Sequence, residues 1–568
     1  MRRWMGLLLA LLLTLGAAGA ETAVSGESFV GRVTAIQGTE VTLRGGADTG
    51  DVPTPPQGER PEEQPPAGGE APALPEGEVP GARGEAPQPP EGEAGGPPVL
   101  PGGEMGEEVT FTITNATAIS VEEDGGARDG ALEDITVGCF ARVVFGENDT
   151  VASVTVLASG VGGFGAFGGE ADNGSAARTL DEDGSFSGET YSSTGDDENA
   201  LRVDGATVEL RGAVIDKSGG ASSSTENGDF YGLNAGLLAL NGAQVTLADS
   251  TIFTSARNGN GAFCYGEGTQ LTIVDTAITT LGDNSGGLQT AGGGATRAQN
   301  CTVKTSGASS AAIRSDRGGG TVAVVGGSYE TGGTGSPAIY STADISVENA
   351  TLAATASEAV VVEGKNSVRL TDCAVTGNMT GTYGDSTENI HNVMLYQSTS
   401  GDAAEGLSTF AMTGGSLTAN AGDMFYITNT AAEITLTGVD MAGAEGGALL
   451  RAEGNDASRG WGAAGANGAR VTFSAVSQAL EGDVVVDSIS TLEFALSGGS
   501  TFNGTINIVA NAQGGAAADE NAHVVIGEGC TWTLTGDCTI STLENHGTIV
   551  FGGFSVTLAD GTVVSDQT

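Results

Sequence analysis

The sequence predicts an all-β chain: a right-handed parallel β-helix (a solenoid) of roughly ten to twelve coils, preceded by a small N-terminal β-barrel. Three observations predict it. An apolar triplet recurs as Val245-Thr246-Leu247, Leu271-Thr272-Ile273, Val322-Ala323-Val324, Ile345-Ser346-Val347, Val368-Arg369-Leu370, Phe410-Ala411-Met412 and Ile434-Thr435-Leu436. Five residues beyond each comes one more apolar residue: Ile252, Ile278, Tyr329, Leu352, Val375, Leu417 and Met441, with Val303 in a less regular copy. Neighbours in that series lie 26, 25, 26, 23, 23, 42 and 24 residues apart, a repeat of about 25. Finally, glycine supplies 94 of 568 residues and aromatics only 5%, and beyond the N-terminus almost no segment shows a 3.6-residue apolar period. That balance favours tight turns over helices.

Taken in order, residues 1–20 read as a secretion signal. Arg2 and Arg3 precede the apolar run Met5 to Leu15, and Ala18-Gly19-Ala20 fits a cleavage site. The run is short for a bilayer span. No cysteine follows for a lipid anchor, and no other run is long and apolar enough to span, so the mature chain is expected to be exported without a transmembrane segment.

Residues 28–158 read as one small barrel split by an insertion. Phe29 to Ile36, Val41 to Leu43, Val109 to Ile113, Thr117 to Val121, Leu132 to Phe145 and Val151 to Leu157 alternate with period two between turn residues. Residues 45–107 break that pattern. Fifteen of the sixteen prolines fall between Pro53 and Pro101, and residues 51–108 hold thirteen acids against two arginines, a net of −11. Such a segment cannot offset its ordering entropy and is expected to be disordered. Residues 159–195 are rich in Gly, Ser and Asp and read as a linker, with the solenoid occupying 196–568.

Within the solenoid each unit holds three strand signals: a Leu237-Leu238 type, the Val-Thr-Leu type and the lone Ile or Val. Alternation sends positions one and three of the triplet inward. Asp249, Asp275, Asn300, Asn349 and Asp372 punctuate equivalent corners, where left-handed backbone is tolerated. One coil could not cover its own apolar edges, so the coils must stack. Three strands in a coil of about 25 residues favour the right-handed form. Two intervals exceed the repeat, and insertions are expected within Ser218 to Phe230 and Gly377 to Ser408.

Residues 195–560 resemble right-handed parallel β-helix proteins of the pectate-lyase-like superfamily, in their secreted, adhesin-like bacterial branch. The stretch Trp532 to Ile549 is similar to the closing coils of autotransporter passenger domains. The barrel resembles a small OB-like module of bacterial extracytoplasmic proteins. The chain departs from the autotransporter pattern: 19 residues follow Ile549, too few for a membrane barrel, and no sortase-type anchor is found.

The resemblance implies that polysaccharide hydrolases and lyases must be weighed. Their paired-Asp motif is met only by Asp196-Asp197 at the linker edge. No Gly-His-Gly occurs, and His391, His523 and His546 lie apart. No catalytic residue, metal site or cofactor is therefore assigned; the calcium nonapeptide repeat is absent as well. Of the six cysteines, Cys301 and Cys373 occupy equivalent slots three repeats apart and read as a ladder of buried thiols; only Cys530 and Cys538 are close in sequence.

The polar residues after the first strand of successive coils form one candidate ligand site: Arg314, Asp316, Arg317, Tyr340, Glu363, Lys365 and Tyr396, with Glu358 and Asp402 nearby. Trp461, in the glycine loop Gly460 to Gly465, reads either as an exposed stacking platform or as a loop anchor. The bland alternative is a corner ladder of hydrogen bonds and ion pairs that locks turns.

A net charge of −49 argues against nucleic acid as a partner. The sequence thus leads to a secreted, monomeric, non-enzymatic, adhesin-like solenoid, extracellular or envelope-associated, that binds a carbohydrate or cell-surface ligand. A polysaccharide hydrolase or lyase and a structural rod stand as alternatives.

Overall fold

The computed structural model describes residues 28–37, 39–47, 107–156 (apart from 115–116, 124–125, 133–134, 136–139 and 146–149), 171–382 and 389–566. The expected secretion signal, the Pro-rich insertion beyond Ala47, Cys139 and the first part of the Gly-rich linker lie outside those residues. No helix of the described residues is long and apolar enough to cross a membrane. The chain divides into two compact units, residues 1–167 and 168–568.

In the first unit, seven strands make one sheet: β1 (Ser28–Gln37), β2 (Glu40–Ala47), β3 (Glu107–Thr112), β4 (Ala118–Glu123), β5 (Gly126–Asp129), β6 (Phe140–Phe145) and β7 (Val151–Val156). Their order is β3-β2-β1-β6-β7-β4-β5, antiparallel except between β4 and β7. Alternation places Val33, Val41, Leu43, Val143 and Val154 on one buried face. Phe111 of β3 meets Phe145 of β6 edge to face at 6.2 Å, so the sheet curls over its own core.

The second unit is a right-handed parallel β-helix. Its triplet strands stack into a fourteen-stranded sheet from Gly184–Ser187 to Thr542–Asn545. The first-strand type builds a sixteen-stranded sheet, referred to here as the broad sheet, from Thr179–Leu180 to Val563–Val564. The lone-apolar strands build a ten-stranded sheet ending at Asp440–Ala442, and a separate four-stranded sheet continues from Ala479–Glu481. The triplets pair in register, as Val245↔Leu271 and Val368↔Phe410 show. Inward residues form one continuous core from Leu180 to Val556.

Two boundaries differ from the sequence reading. The solenoid begins before residue 196: Gly184–Ser187 and Thr190–Ser193 already pair with the coil that follows. Leu180, Phe186 and Tyr191 are that first coil's few large apolar residues, and its Ser and Asp surroundings disguise it as linker. The stack also runs to fourteen strands in the triplet sheet, and its later coils fill the core with aromatics. Phe410, Phe425, Phe473, Phe494, Phe502 and Trp532 run down the core with successive ring centroids 5.2–5.9 Å apart.

The five described cysteines, Cys264, Cys301, Cys373, Cys530 and Cys538, are buried free thiols. Cys301 and Cys373 donate weakly to carbonyl oxygens of their own coil and the preceding one. Burial raises both thiols above their usual range.

Candidate functional site

Most strands of a β-helix bury one face, but several strands of the broad sheet are buried on both. Leu237–Leu240, Val360–Glu363, His391–Tyr396 and Asp423–Thr428 have no exposed residue. Their inward residues belong to the core. Their outward residues form a ladder, Leu238↔Phe263↔Gln289↔Arg314↔Tyr340↔Val361↔Met394↔Tyr426↔Arg451. Three departures from the repeat cover that ladder.

The first cover is α1 (Thr225–Tyr231), the one α-helix among the described residues. The Ser224 hydroxyl accepts from the Asn227 amide at its N-terminus, and Gly232 closes it at φ 78°. A Cβ on Gly232 would lie 2.6 Å from Leu238, so glycine is required by conformation and by space. The second cover comes from residues 378–382 and 397–406, on either side of the strand His391–Tyr396 and within the expected insertion. The third is the loop 453–467, where the Trp461 carbonyl accepts from Asn455 and Asn467. The second and third are tied together by the Thr399 amide and hydroxyl, both donating to the Gly460 carbonyl.

Beneath these covers lies a cleft of about 280 Å³ lined by Asp229, Phe230, Arg314, Asp316, Tyr340, Glu358, Met379, Tyr396, Asp402, Arg459 and Trp461, among others. A second cavity of about 350 Å³ adjoins it, lined by Tyr426, Asn389, Glu453, Asn455, Asp456 and Gln513. Arg459 and Trp461 line both, with the Arg459 guanidinium 4.7 Å from the Trp461 ring centre. Val361, Met394, Tyr396, Tyr426 and Trp461 pack as a separate apolar cluster, with Tyr340 against it.

Arg314 organises one end. Its guanidinium meets Asp316 at 2.7 Å and Asp229 of α1 at 3.1 Å. It also donates to the Ser309 carbonyl. Asn258 supports Asp229 by a further hydrogen bond at 3.1 Å. Two buried carboxylates thus share one cation. Burial pushes the Asp316 carboxyl up, Arg314 pulls it back and Asp229 raises it again, to about 7. Burial likewise raises Asp229, against the pull of Arg314. Beside them Arg317 pairs with Asp402 at 2.8 Å, its guanidinium 3.9 Å from the Phe230 ring centre.

Glu363 organises the floor. It is 1% exposed and accepts from the hydroxyls of Tyr340, Tyr396 and Ser398, Tyr396 at 2.8 Å. Burial raises its carboxyl, and the three hydroxyl donors oppose that shift.

Of the residues singled out from sequence, Arg314, Asp316, Tyr340, Tyr396 and Trp461 line the cleft, as do Glu358 and Asp402. Arg317 reaches it through Asp402, and Glu363 sits under its floor. Lys365 is exposed and lies elsewhere, its side chain crossing Gly406. Trp461 is 5% exposed, so the open-platform reading is corrected: the loop folds its ring onto Tyr396, centroids 4.9 Å apart. Sequence reasoning missed Asp229, Phe230, Met379 and Arg459. A signal existed for the covers: Val360-Val361-Val362 and Val393-Met394-Leu395-Tyr396 are apolar at both parities, the mark of a strand covered on both faces.

No family model, curated protein or solved structure matches this chain. The site's own chemistry therefore carries the functional reading. It offers aromatic walls, side-chain amides and carboxylates in a concave, half-enclosed trough. No cluster of metal-ligating side chains is found among the described residues.

Proposed function

We propose that the chain is an exported, adhesin-like β-solenoid of the pectate-lyase-like kind whose cleft binds a carbohydrate without turning it over. One observation carries this reading: the repeat is interrupted where its outward face becomes aromatic and polar, and the interruptions enclose a trough there. Tyr340, Tyr396, Trp461 and Tyr426 supply apolar faces. Asn389, Asn455, Gln513 and the carboxylates supply acceptors and donors for hydroxyl groups. Retention at a cell surface and the OB-like assignment of the first unit belong to the same reading.

A glycan array with the full chain tests it. Binding to a defined glycan class is expected, weakened at least about tenfold by Arg459→Ala, which removes an exposed side chain shared by both cavities. Absence of binding across a broad array overturns the reading.

A second reading, hydrolysis of a polysaccharide, is favoured by one observation: Asp316 is held near neutrality beside a second acid. Against it, Arg314 and the Arg317 amide occupy both of its oxygens. Release of reducing ends without unsaturated products from a polysaccharide panel, lost in Asp316→Asn, would establish it over the binding role.

A further inference from the structure

The aromatic walls of the cleft are closed off: Tyr396 is 8% exposed, Tyr426 2% and Trp461 5%. A ligand that stacks on them needs a way in, so part of the cover must move. The three covers are not equally anchored. The helix α1 is capped at both ends and buries Phe230. The loop 453–467 is pinned from within by Asn455 and Asn467, which hold the Trp461 carbonyl. The tip of the second cover relies on polar contacts.

That tip, residues 398–403, reads Ser-Thr-Ser-Gly-Asp-Ala. Its two ends are fixed at one place. The Gln397 side-chain amide donates to the Ala403 carbonyl at 3.2 Å, and the Lys365 amide donates to the Ala404 carbonyl at 2.7 Å. Asn429 holds the Gln397 carbonyl from the next coil. Between those ends there is no large apolar side chain to bury, and Gly401 turns the chain at φ 81°. A loop with joined ends and few apolar contacts opens as a unit at low cost.

Three contacts hold it shut. The Asp402 carboxylate accepts from Arg317 Nε at 3.1 Å and Nη2 at 2.8 Å. The Thr399 amide and hydroxyl donate to the Gly460 carbonyl at 2.9 and 2.7 Å, and the Ser398 hydroxyl donates to Glu363. Only the first is an ion pair between side chains that solvent reaches, each 20% exposed, so salt weakens it. Arg317 is itself braced by Phe230 of α1. Asp402 lines the cleft, so movement of the tip widens its mouth.

We propose that residues 398–403 are a flap over the cleft, latched by the Arg317–Asp402 ion pair, and that release of the latch admits a ligand to the aromatic wall. This deepens the carbohydrate reading above and rests on it only for what enters.

Two native methionines provide the test. Met394 lines the cleft and is 2% exposed; Met412 is 1% exposed inside the solenoid core. Hydrogen peroxide converts an accessible methionine to its sulfoxide, and peptide mass spectrometry on the full chain gives the rate at each position. Asp402→Ala is expected to speed oxidation of Met394 about two- to fivefold, with Met412 unchanged. Added salt should speed Met394 oxidation in the wild-type chain and have no further effect in the variant. Amide exchange should rise in residues 398–403 and stay unchanged in 225–231. Unchanged Met394 oxidation in Asp402→Ala overturns the latch, as does an equal acceleration at Met412, which would mean general loosening. If the variant fails to fold, the salt series on the wild-type chain decides alone, and salt-insensitive oxidation of Met394 overturns the proposal. No step uses a glycan, so a failed latch leaves the carbohydrate reading standing, and a glycan array without binders leaves the flap to be judged by oxidation.

Discussion

Asp249, Asp275, Asn300, Asn349 and Asp372 take φ of 50°, 47°, 51°, 54° and 50° at one corner of successive coils. Where glycine replaces them the conformation persists, with Gly326 at 69° and Gly414 at 63°. At those two positions an added Cβ would lie 2.6 Å from Asn300 Oδ1 and 2.3 Å from Asp372 Oδ1 of the coil before, so a larger residue there requires that side chain to turn aside. Asp275→Val should therefore lower unfolding free energy by about 1–2 kcal/mol, because a β-branched residue tolerates left-handed backbone poorly. Urea titration measures it, and Asp275→Gly should be close to neutral.

At the same scale, the buried acids predict a pH dependence of unusual sign. Asp316 has its folded value raised from 3.8 to about 7, and Asp229, Glu363 and Glu453 are raised as well, each chiefly by burial. Between about pH 4 and 7 the folded state therefore holds more protons at Asp316 than the unfolded state, and stability falls as pH rises through that window. The melting temperature should drop from pH 5 to pH 8, and Asp316→Asn should flatten part of that slope.

At the scale of elements, the inward ladder was legible, the outward one only in part, and its covers not at all. Val368, Leu370 and Val375 state their positions because a repeat makes each coil a copy of the last. The covers have no copy elsewhere in the chain. Seven residues of α1 are too few to show a helical period, although Ser224 and Gly232 mark its ends. Arg314 and Tyr340 were legible as facing residues because register carries them. Asp229, which completes the Arg314 cluster from 85 residues away, was not. Ser224→Ala should cost about 1 kcal/mol of local stability. It should appear as faster hydrogen exchange in residues 225–231, with the flanking strands unchanged. Deleting α1 would bare Leu238 and Phe263, both 0% exposed under it, and should cause association through that patch.

At the scale of the whole solenoid, each coil's strands pair only with those of its neighbours, and the ion pairs Asp229–Arg314 and Arg317–Asp402 are local exceptions, so stability is largely a sum along one axis. Hydrogen-exchange protection should peak in the central coils and decline toward residues 175–193 and 548–564. A uniform protection profile would argue for a single cooperative block. Buried thiols report on the same gradient: burial holds Cys264 and Cys538 at about 11, so alkylation at neutral pH should await local opening. Cys538, five strands from the C-terminus in sequence, should react before Cys264 does.

Only three tryptophans occur in the chain, at positions 4, 461 and 532. Trp532 ends the aromatic column of the core, its indole N–H held by the Gly504 carbonyl at 3.0 Å. Trp461 stands between the two cavities. The fold has thus placed one chromophore as a fixed internal standard and another as a sensor in the wall of the trough. In a Trp532→Phe background, emission from Trp461 would report occupancy of the cleft without any label, even while its occupant is still being sought.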